Sequence, residues 1–362
     1  MRVDGRAATY PYRNGRKRRS KEMTFKIVNA MCIPGVDYGE DLLRPFDAVL
    51  KSGKWPDETA IIDNAKDADA LVCISPVQPI TARVIRSLER CRIIASLAIG
   101  YDRIDLDAAN EMGIAVTNTP DYCLDEVSNQ AIALMMALSR KLFQIDKLVR
   151  SEQILITPPM RDAIREIAFP IPRLCSQTLG IIGLGKIGTA SALKAKGLGM
   201  SVIAYDPYVF GPVMKTMGVE KVDLERLLKE SDYISIHALL SDETRAMIGY
   251  DQFKAMKRTC YLINTARGDI VDECALVRAL KEGLIAGAGL DATANEPFDK
   301  NDSLLEMPNV ILTGHSAWYS TDSDSEFWRK AMTQVVMALR GEWPTYAVNP
   351  EAKNKWLRKW AV

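Results

Sequence analysis

Histidine is scarce in this sequence: His237 and His315 are the two it has in 362 residues. Chemistry that needs an imidazole near neutral pH must use one of them. The seven cysteines (Cys32, Cys73, Cys91, Cys123, Cys175, Cys260 and Cys274) are odd in number and scattered, with no CxxC spacing. Neither a metal site nor a disulfide framework is expected from them. A reducing, cytoplasmic setting is the simpler expectation, with most of these thiols filling core space. An excess of one charge is also missing. Lys and Arg number 47 against 46 Asp and Glu, a net charge of +1. Such a balance argues against a surface devoted to nucleic acid or to anionic lipid. No apolar run approaches the ~18 residues of a membrane span, and no internal repeat is evident.

What remains is the composition of a globular protein, 48% apolar and 26% charged, long enough for two domains with cores of their own. Residues 1–23 stand apart. They are polar and basic, with Arg16, Lys17, Arg18, Arg19 and Lys21 in one cluster and no apolar core of a signal peptide. The charge alone would suit a localisation or nucleic-acid patch. A segment unable to bury a core is expected to be a disordered tail. Met23 is a candidate start of the folded part.

From Phe25 onward, short apolar runs alternate with helix-period stretches. Ile27-Val28, Ala48 to Leu50, Ala70 to Ile74, Ile93 to Ala95 and Ile114 to Val116 read as buried strands, with a helix over Ala82 to Glu89. A long helix is expected from about Glu126 to Leu142, with Asp121 or Asp125 capping its start. The proline-rich stretch Gln153 to Pro172 reads as a surface excursion. A second series of strands follows: Leu179 to Ile182, Val202 to Tyr205, Tyr233 to Ile236, Tyr261 to Ile263, Gly287 to Leu290 and Val310 to Leu312, then a helix over Asp324 to Leu339. Strand–helix alternation implies α/β architecture with parallel sheets.

Gly183-Leu184-Gly185-Lys186-Ile187-Gly188 is a GxGxxG placed directly after a strand and at the opening of a helix. Gly183 permits the tight turn, Gly185 lets a pyrophosphate approach the backbone, and Gly188 brings helix and strand together. The helix start, with Lys186 and Ile187, offers N–H groups to negative charge. Asp206 ends the next strand, 18 residues beyond Gly188. A carboxylate there accepts from ribose hydroxyls and repels a 2′-phosphate, so NAD is the expected cofactor.

Several stretches after this motif resemble the D-2-hydroxyacid dehydrogenase family: Gln177 to Gly183, Asn264-Thr265-Ala266-Arg267-Gly268, Gly289-Leu290-Asp291, Glu296-Pro297 and Gly314 to Ser320. The likeness runs from about Thr24 to Pro350. The run His315 to Ser320 most resembles the branch that includes the C-terminal-binding-protein corepressors and their bacterial relatives. The resemblance implies a Rossmann NAD-binding domain (121–316) inserted into a flavodoxin-like substrate domain (24–120 with 317–350), a separate tail at 351–362, and a homodimer through the NAD-binding domain.

It also assigns roles that chemistry supports. His315 is the acid in reduction and the base in oxidation, a task suited to imidazole. A Glu296 carboxylate beside it would favour imidazolium and orient the ring. Arg267 can grip a substrate carboxylate with its guanidinium fork and polarise the adjoining carbonyl. His237, Ala238, Thr265 and Ala266 are expected along the cofactor cleft, with Thr244 and Asp291 near the nicotinamide half. Thr244 reads equally as a helix cap. Ala98, Ile99 and Gly100 are expected to face the substrate carboxylate through backbone N–H groups, and Trp318 to form a pocket wall or an interdomain contact. Some relatives in the family, the corepressor group among them, carry arginine where Ser96 stands, so a small or apolar substrate side chain is favoured over a phosphorylated one. The expected function is hydride transfer between NAD and C2 of a 2-hydroxy or 2-oxo acid. The alternatives are an NAD-responsive dimeric scaffold of the corepressor kind and a formate-type enzyme, the latter disfavoured by the Glu296–His315 pairing.

Overall fold

The computed structural model describes residues 24–361 except 34–35, 76, 153–161, 163 and 167–169. The expected basic tail at 1–23, and most of the expected 153–172 excursion, lie outside the described residues.

Every expected strand is present. The first sheet holds β1 (Phe25–Asn29), β2 (Ala48–Ser52), β3 (Ala70–Cys73), β4 (Ile93–Ser96) and β5 (Ala115–Thr117), in the order β2-β1-β3-β4-β5. All its pairings are parallel. The second sheet holds β6 (Thr178–Ile182), β7 (Ser201–Tyr205), β8 (Glu220–Lys221), β9 (Tyr233–Ile236), β10 (Tyr261–Asn264), β11 (Gly287–Leu290) and β12 (Val310–Leu312), in the order β12-β11-β10-β9-β6-β7-β8, again all parallel. These are the flavodoxin-like and Rossmann strand orders respectively. β3, β4, β9, β10 and β11 are buried at every position, as expected of strands covered on both faces. The two-residue edge strand β8 is exposed and leaves no apolar signature in the sequence.

The first sheet is covered by both ends of the chain. Helices Glu58–Ala65, Ala82–Ser87 and Leu106–Met112 supply one face, where Ile61, Val84, Ile85 and Ala109 meet Val28, Leu71 and Ile94. On the other face Phe327, Trp328 and Val335, from helix Thr321–Leu339, meet Ile27, Val72 and Ile93. The second sheet packs against helix Leu124–Ser139, whose Leu134 and Leu138 join Leu179, Ile181 and Ile263.

Two expectations need correction. Neither Asp121 nor Asp125 caps helix Leu124–Ser139. Cys123 occupies the cap position without a side-chain bond, while Asp121 pairs with Lys330 at 2.6 Å and Asp125 with Lys194 at 2.6 Å. These carboxylates tie neighbouring elements together instead. Nor do the last residues form a separate tail. Helix Lys353–Trp360 seals the first sheet, with Trp356 fully buried among Ile93, Ala115 and Leu339. Its indole Nε1 donates to the Arg92 carbonyl at 2.7 Å, satisfying the one polar atom that burial would otherwise orphan.

Trp356→Ala is therefore expected to cost about 3–5 kcal/mol of stability, read as a lower urea midpoint. Unfolding indistinguishable from the parent would show that the C-terminal helix is not part of the core.

Candidate active site

Parallel sheets bind ligands beyond the carboxyl ends of their strands. Here the loops after β4, β9, β10, β11 and β12 converge on one cavity of about 280 Å³, and the chain crossing between the sheets at Tyr122-Cys123 closes its side. Of the residues singled out from sequence, Ala98, Ile99, Gly100, Ile187, His237, Ala238, Thr265, Ala266, Arg267, Asp291, His315 and Trp318 line it.

His315 follows β12 in an unusual backbone state. Both Gly314 and His315 have φ of 59°, in the left-handed region that a residue with a Cβ rarely adopts. Asp291 holds them there. Its carbonyl accepts the His315 N–H at 2.7 Å. Its carboxylate accepts from Thr313 Oγ1 at 2.6 Å, from Ser316 N–H at 3.0 Å and from Ala317 N–H at 3.1 Å. So held, His315 Nδ1 donates to Glu296 Oε2 at 2.7 Å. The other Glu296 oxygen accepts the Thr293 N–H at 3.1 Å, so the carboxylate cannot rotate freely. Burial would raise the Glu296 pKa. The bond to His315, its charge, the Thr293 N–H and the Arg267 charge outweigh burial and hold it below the usual carboxylate range.

His237 is a different kind of histidine. Burial pushes its pKa down to about 4, so the ring is neutral at physiological pH. Nε2 lies 2.9 Å from Ser235 Oγ, and Nδ1 is buried with no partner. Of the two imidazoles, only His315 has a carboxylate to stabilise its charged form.

Arg267, at the end of β10, donates through Nη1 to the Ala266 carbonyl at 2.9 Å and through Nε to Asp102 Oδ1 at 3.3 Å. In the loop after β4, the carbonyls of Ala98, Ile99 and Gly100 accept from Thr119 N–H, Asn118 Nδ2 and Ser75 Oγ. The N–H groups of Ile99 and Gly100 meet no backbone carbonyl among the described residues. Ser96 is fully buried, and its Oγ accepts the Ala98 N–H at 3.3 Å, so it shapes the loop and presents nothing to a ligand. Trp318 lines the cavity and packs edge-on against Phe327 of the same chain segment, ring centroids 5.6 Å apart.

The glycine motif fits a dinucleotide. Gly183 has φ of 90°, and a Cβ there would lie 2.6 Å from the Ala238 nitrogen. A Cβ on Gly188 would strike the Gly183 carbonyl oxygen, whereas Gly185 faces open space. Helix Lys186–Gly197 starts at Gly185 with no side-chain cap, leaving its first N–H groups for an anion. Thr265 Oγ1, buried on the cavity wall, is a second polar atom without a partner. Asp206 accepts from Leu184 N–H at 2.8 Å and from Tyr208 N–H at 2.9 Å, which fixes the glycine turn to the end of β7. Thr244 is not brought to the cavity. Its Oγ1 accepts from Ser241 N–H at 2.8 Å and donates to the Leu239 carbonyl at 2.6 Å, closing a turn and capping no helix. Sequence reasoning missed Asp102, Tyr122, Cys123 and Leu240 on the cavity wall. Their place depends on how the sheets face each other, for which no local pattern exists.

The model of the D-isomer specific 2-hydroxyacid dehydrogenase NAD-binding domain matches residues 132–317. A glyoxylate reductase of Korarchaeum cryptofilum is 41% identical over 82% of this chain and 87% of its own length. That of Thermococcus litoralis is 37% identical over 83% and 89%. The chain belongs to the D-isomer-specific 2-hydroxyacid dehydrogenases. Among solved structures, D-lactate dehydrogenase of Aquifex aeolicus, in complex with NAD and lactic acid, superposes with a TM-score of 0.75 at 30% identity, covering 86% of this chain and 94% of that one. None of these relatives carries a corepressor name. This 2-hydroxyacid dehydrogenase uses NAD to interconvert 2-hydroxy and 2-oxo acids.

In the dehydrogenase the Glu296–His315 contact stabilises carboxylate and imidazolium together. Because the Glu296 pKa is depressed, its carboxylate stays ionised beside His315 at neutral pH, and that charge is lost in acid as the carboxylate protonates. Glu296→Gln is expected to move the alkaline decline of reductive kcat/KM down by about 1–2 pH units. A profile superimposable on the parent's would remove Glu296 from the proton-donating unit.

Proposed function

We propose that the enzyme reduces small 2-oxo acids with NADH, glyoxylate foremost, through His315, Glu296 and Arg267. One observation carries the reading: His315, bonded to Glu296 at 2.7 Å, lines the same cavity as Arg267. Arg267 and the N–H groups of Ile99 and Gly100 hold the substrate carboxylate, and the guanidinium polarises the 2-oxo group. NADH, when bound, supplies the hydride that C2 receives. His315 has Nδ1 committed to Glu296, so Nε2 delivers the proton to the developing alkoxide. Oxidation runs the same transfers in reverse, with His315 taking the proton back.

The cofactor is proposed to lie with its pyrophosphate on the Gly183–Gly188 turn and the N–H groups of Lys186 and Ile187, its adenosine ribose at Asp206, and its nicotinamide half along His237-Ala238 and Thr265-Ala266. Asp291 acts there by fixing the His315 turn. Ile99, Tyr122 and Trp318 make the substrate wall largely apolar, and Arg267 is the one Lys or Arg among the lining residues. A substrate with one carboxylate and a small side chain matches that chemistry, and the relatives named glyoxylate reductase point the same way.

We assign residues 24–120 and 317–361 to the substrate domain and 121–316 to the NAD-binding domain. Among the described residues, no helix is long and apolar enough to cross a membrane. We place the enzyme in the cytoplasm as a homodimer built through its NAD-binding domain, where Leu142, Phe143, Leu193 and Leu198 are exposed apolar side chains of the kind an interface covers.

NADH oxidation with glyoxylate, hydroxypyruvate, pyruvate and larger 2-oxo acids tests the reading. Glyoxylate is expected to give the highest kcat/KM. His315→Ala is expected to lower kcat by about 10²–10⁴-fold with NADH affinity kept. Full turnover by that variant, or none by the parent on any of these acids, would refute the assignment.

A further inference from the structure

We infer that Asp102 is a positioning residue for the reaction: it takes the Nε edge of Arg267 and so aims the Nη edge at the substrate carboxylate. The inference rests on the proposed role of Arg267.

The two residues come from different sheets. Asp102 lies in the loop after β4, and Arg267 follows β10. Their side chains, 19% and 22% exposed, meet in the cleft at 3.3 Å. An ion pair so shielded is less screened than one on the surface. The guanidinium is located at three points. Nε–H faces Asp102, Nη1 donates to the Ala266 carbonyl at 2.9 Å, and Nη2 lies so close over Gly100 that a Cβ there would overlap it. Of five N–H donors, two are engaged within the protein and three remain on the Nη atoms. That is the edge a carboxylate grips with two oxygens.

The opposite reading is that Asp102 occupies the substrate's place and must be displaced. A carboxylate doing so would straddle the Nη pair, but Asp102 offers one oxygen to Nε only. Asp102 also belongs to the loop whose Ile99 and Gly100 N–H groups face the same ligand. The loop thus supplies part of the carboxylate site and orients the other part. The two readings predict opposite signs, since a positioning residue lowers KM and a competitor raises it.

The test uses the full-length enzyme with NADH and glyoxylate, comparing Asp102→Ala, Asp102→Asn and Arg267→Ala. KM and kcat are measured separately, with NADH affinity by fluorescence and the inhibition constant of oxalate as a carboxylate probe. Removing a hydrogen bond to a charged group is worth about a tenfold or greater change. Asp102→Ala is therefore expected to raise KM and the oxalate constant about tenfold, with kcat changed by less than about threefold and NADH affinity unaltered. Asp102→Asn, isosteric and still able to accept from Nε–H, is expected to fall between parent and Ala, and it keeps the test decisive if the Ala variant folds poorly. If Arg267→Ala raises KM while both Asp102 variants leave it unchanged or lower it, the inference is wrong and the carboxylate site stands. If Arg267→Ala itself leaves KM unchanged, the carboxylate site is wrong and the inference falls with it.

Discussion

The geometry of the proposed catalytic pair hangs on a buried carboxylate outside that pair. Asp291 is 3% exposed and gathers a hydroxyl and two backbone N–H groups from the turn after β12, while its own carbonyl takes the His315 N–H. Holding a residue with a Cβ in the left-handed region costs on the order of 1–3 kcal/mol. Hydrogen bonds to a buried carboxylate contribute about 1.5–3 kcal/mol each, so the turn is over-determined. The strain serves a purpose, because this conformation brings the His315 ring onto Glu296. Lose the hold of Asp291 and the imidazole loses both its orientation and its counter-charge.

Around that turn the two sheets divide the remaining work. The Rossmann sheet carries the glycine turn, Arg267, Glu296 and His315 on the loops after β6, β10, β11 and β12. The flavodoxin-like sheet presents a loop, Ala98 to Gly100, that lines the cavity and whose carbonyls are tied down. Contacts at the crossing keep the halves in register: Lys330 with Asp121 at 2.6 Å, and Ser320 Oγ donating to Glu126 at 2.7 Å. With His237 held neutral by burial, the cleft contains a single imidazole equipped to carry a proton.

Much of this was legible in the sequence because burial leaves a strong mark. Strands covered on both faces read as short runs of Ile, Val, Leu and Ala, and all eleven expected strands are present. The exposed strand β8 left no such mark. The glycine motif was legible because each glycine answers a steric demand of the backbone, and Arg267, Glu296 and His315 stood out by resemblance and by chemistry. The two capping expectations fail for one reason. Asp121 and Asp125 read as local caps, and the structure gives both carboxylates ion pairs between distant elements. Trp356 reads as part of a separate tail because the sheet it seals, with Ile93 and Ala115, lies more than 200 positions earlier in the chain. Asp102 and Tyr122 were invisible as site residues because each matters only once the sheets face each other. Asp291 was placed in the cleft, but its grip on the His315 turn is a tertiary fact.

The central claim is spatial: the imidazole of His315, oriented by Glu296, and the guanidinium of Arg267 act on one substrate beside the cofactor. A crystal structure of the enzyme with NADH and oxamate, a mimic of a 2-oxo acid, tests it most directly. The account predicts the oxamate carboxylate on the Arg267 Nη atoms and the Ile99 and Gly100 N–H groups, with its carbonyl oxygen within hydrogen-bonding distance of His315 Nε2. Oxamate bound away from Arg267, or His315 turned out of the cleft and parted from Glu296, would contradict it.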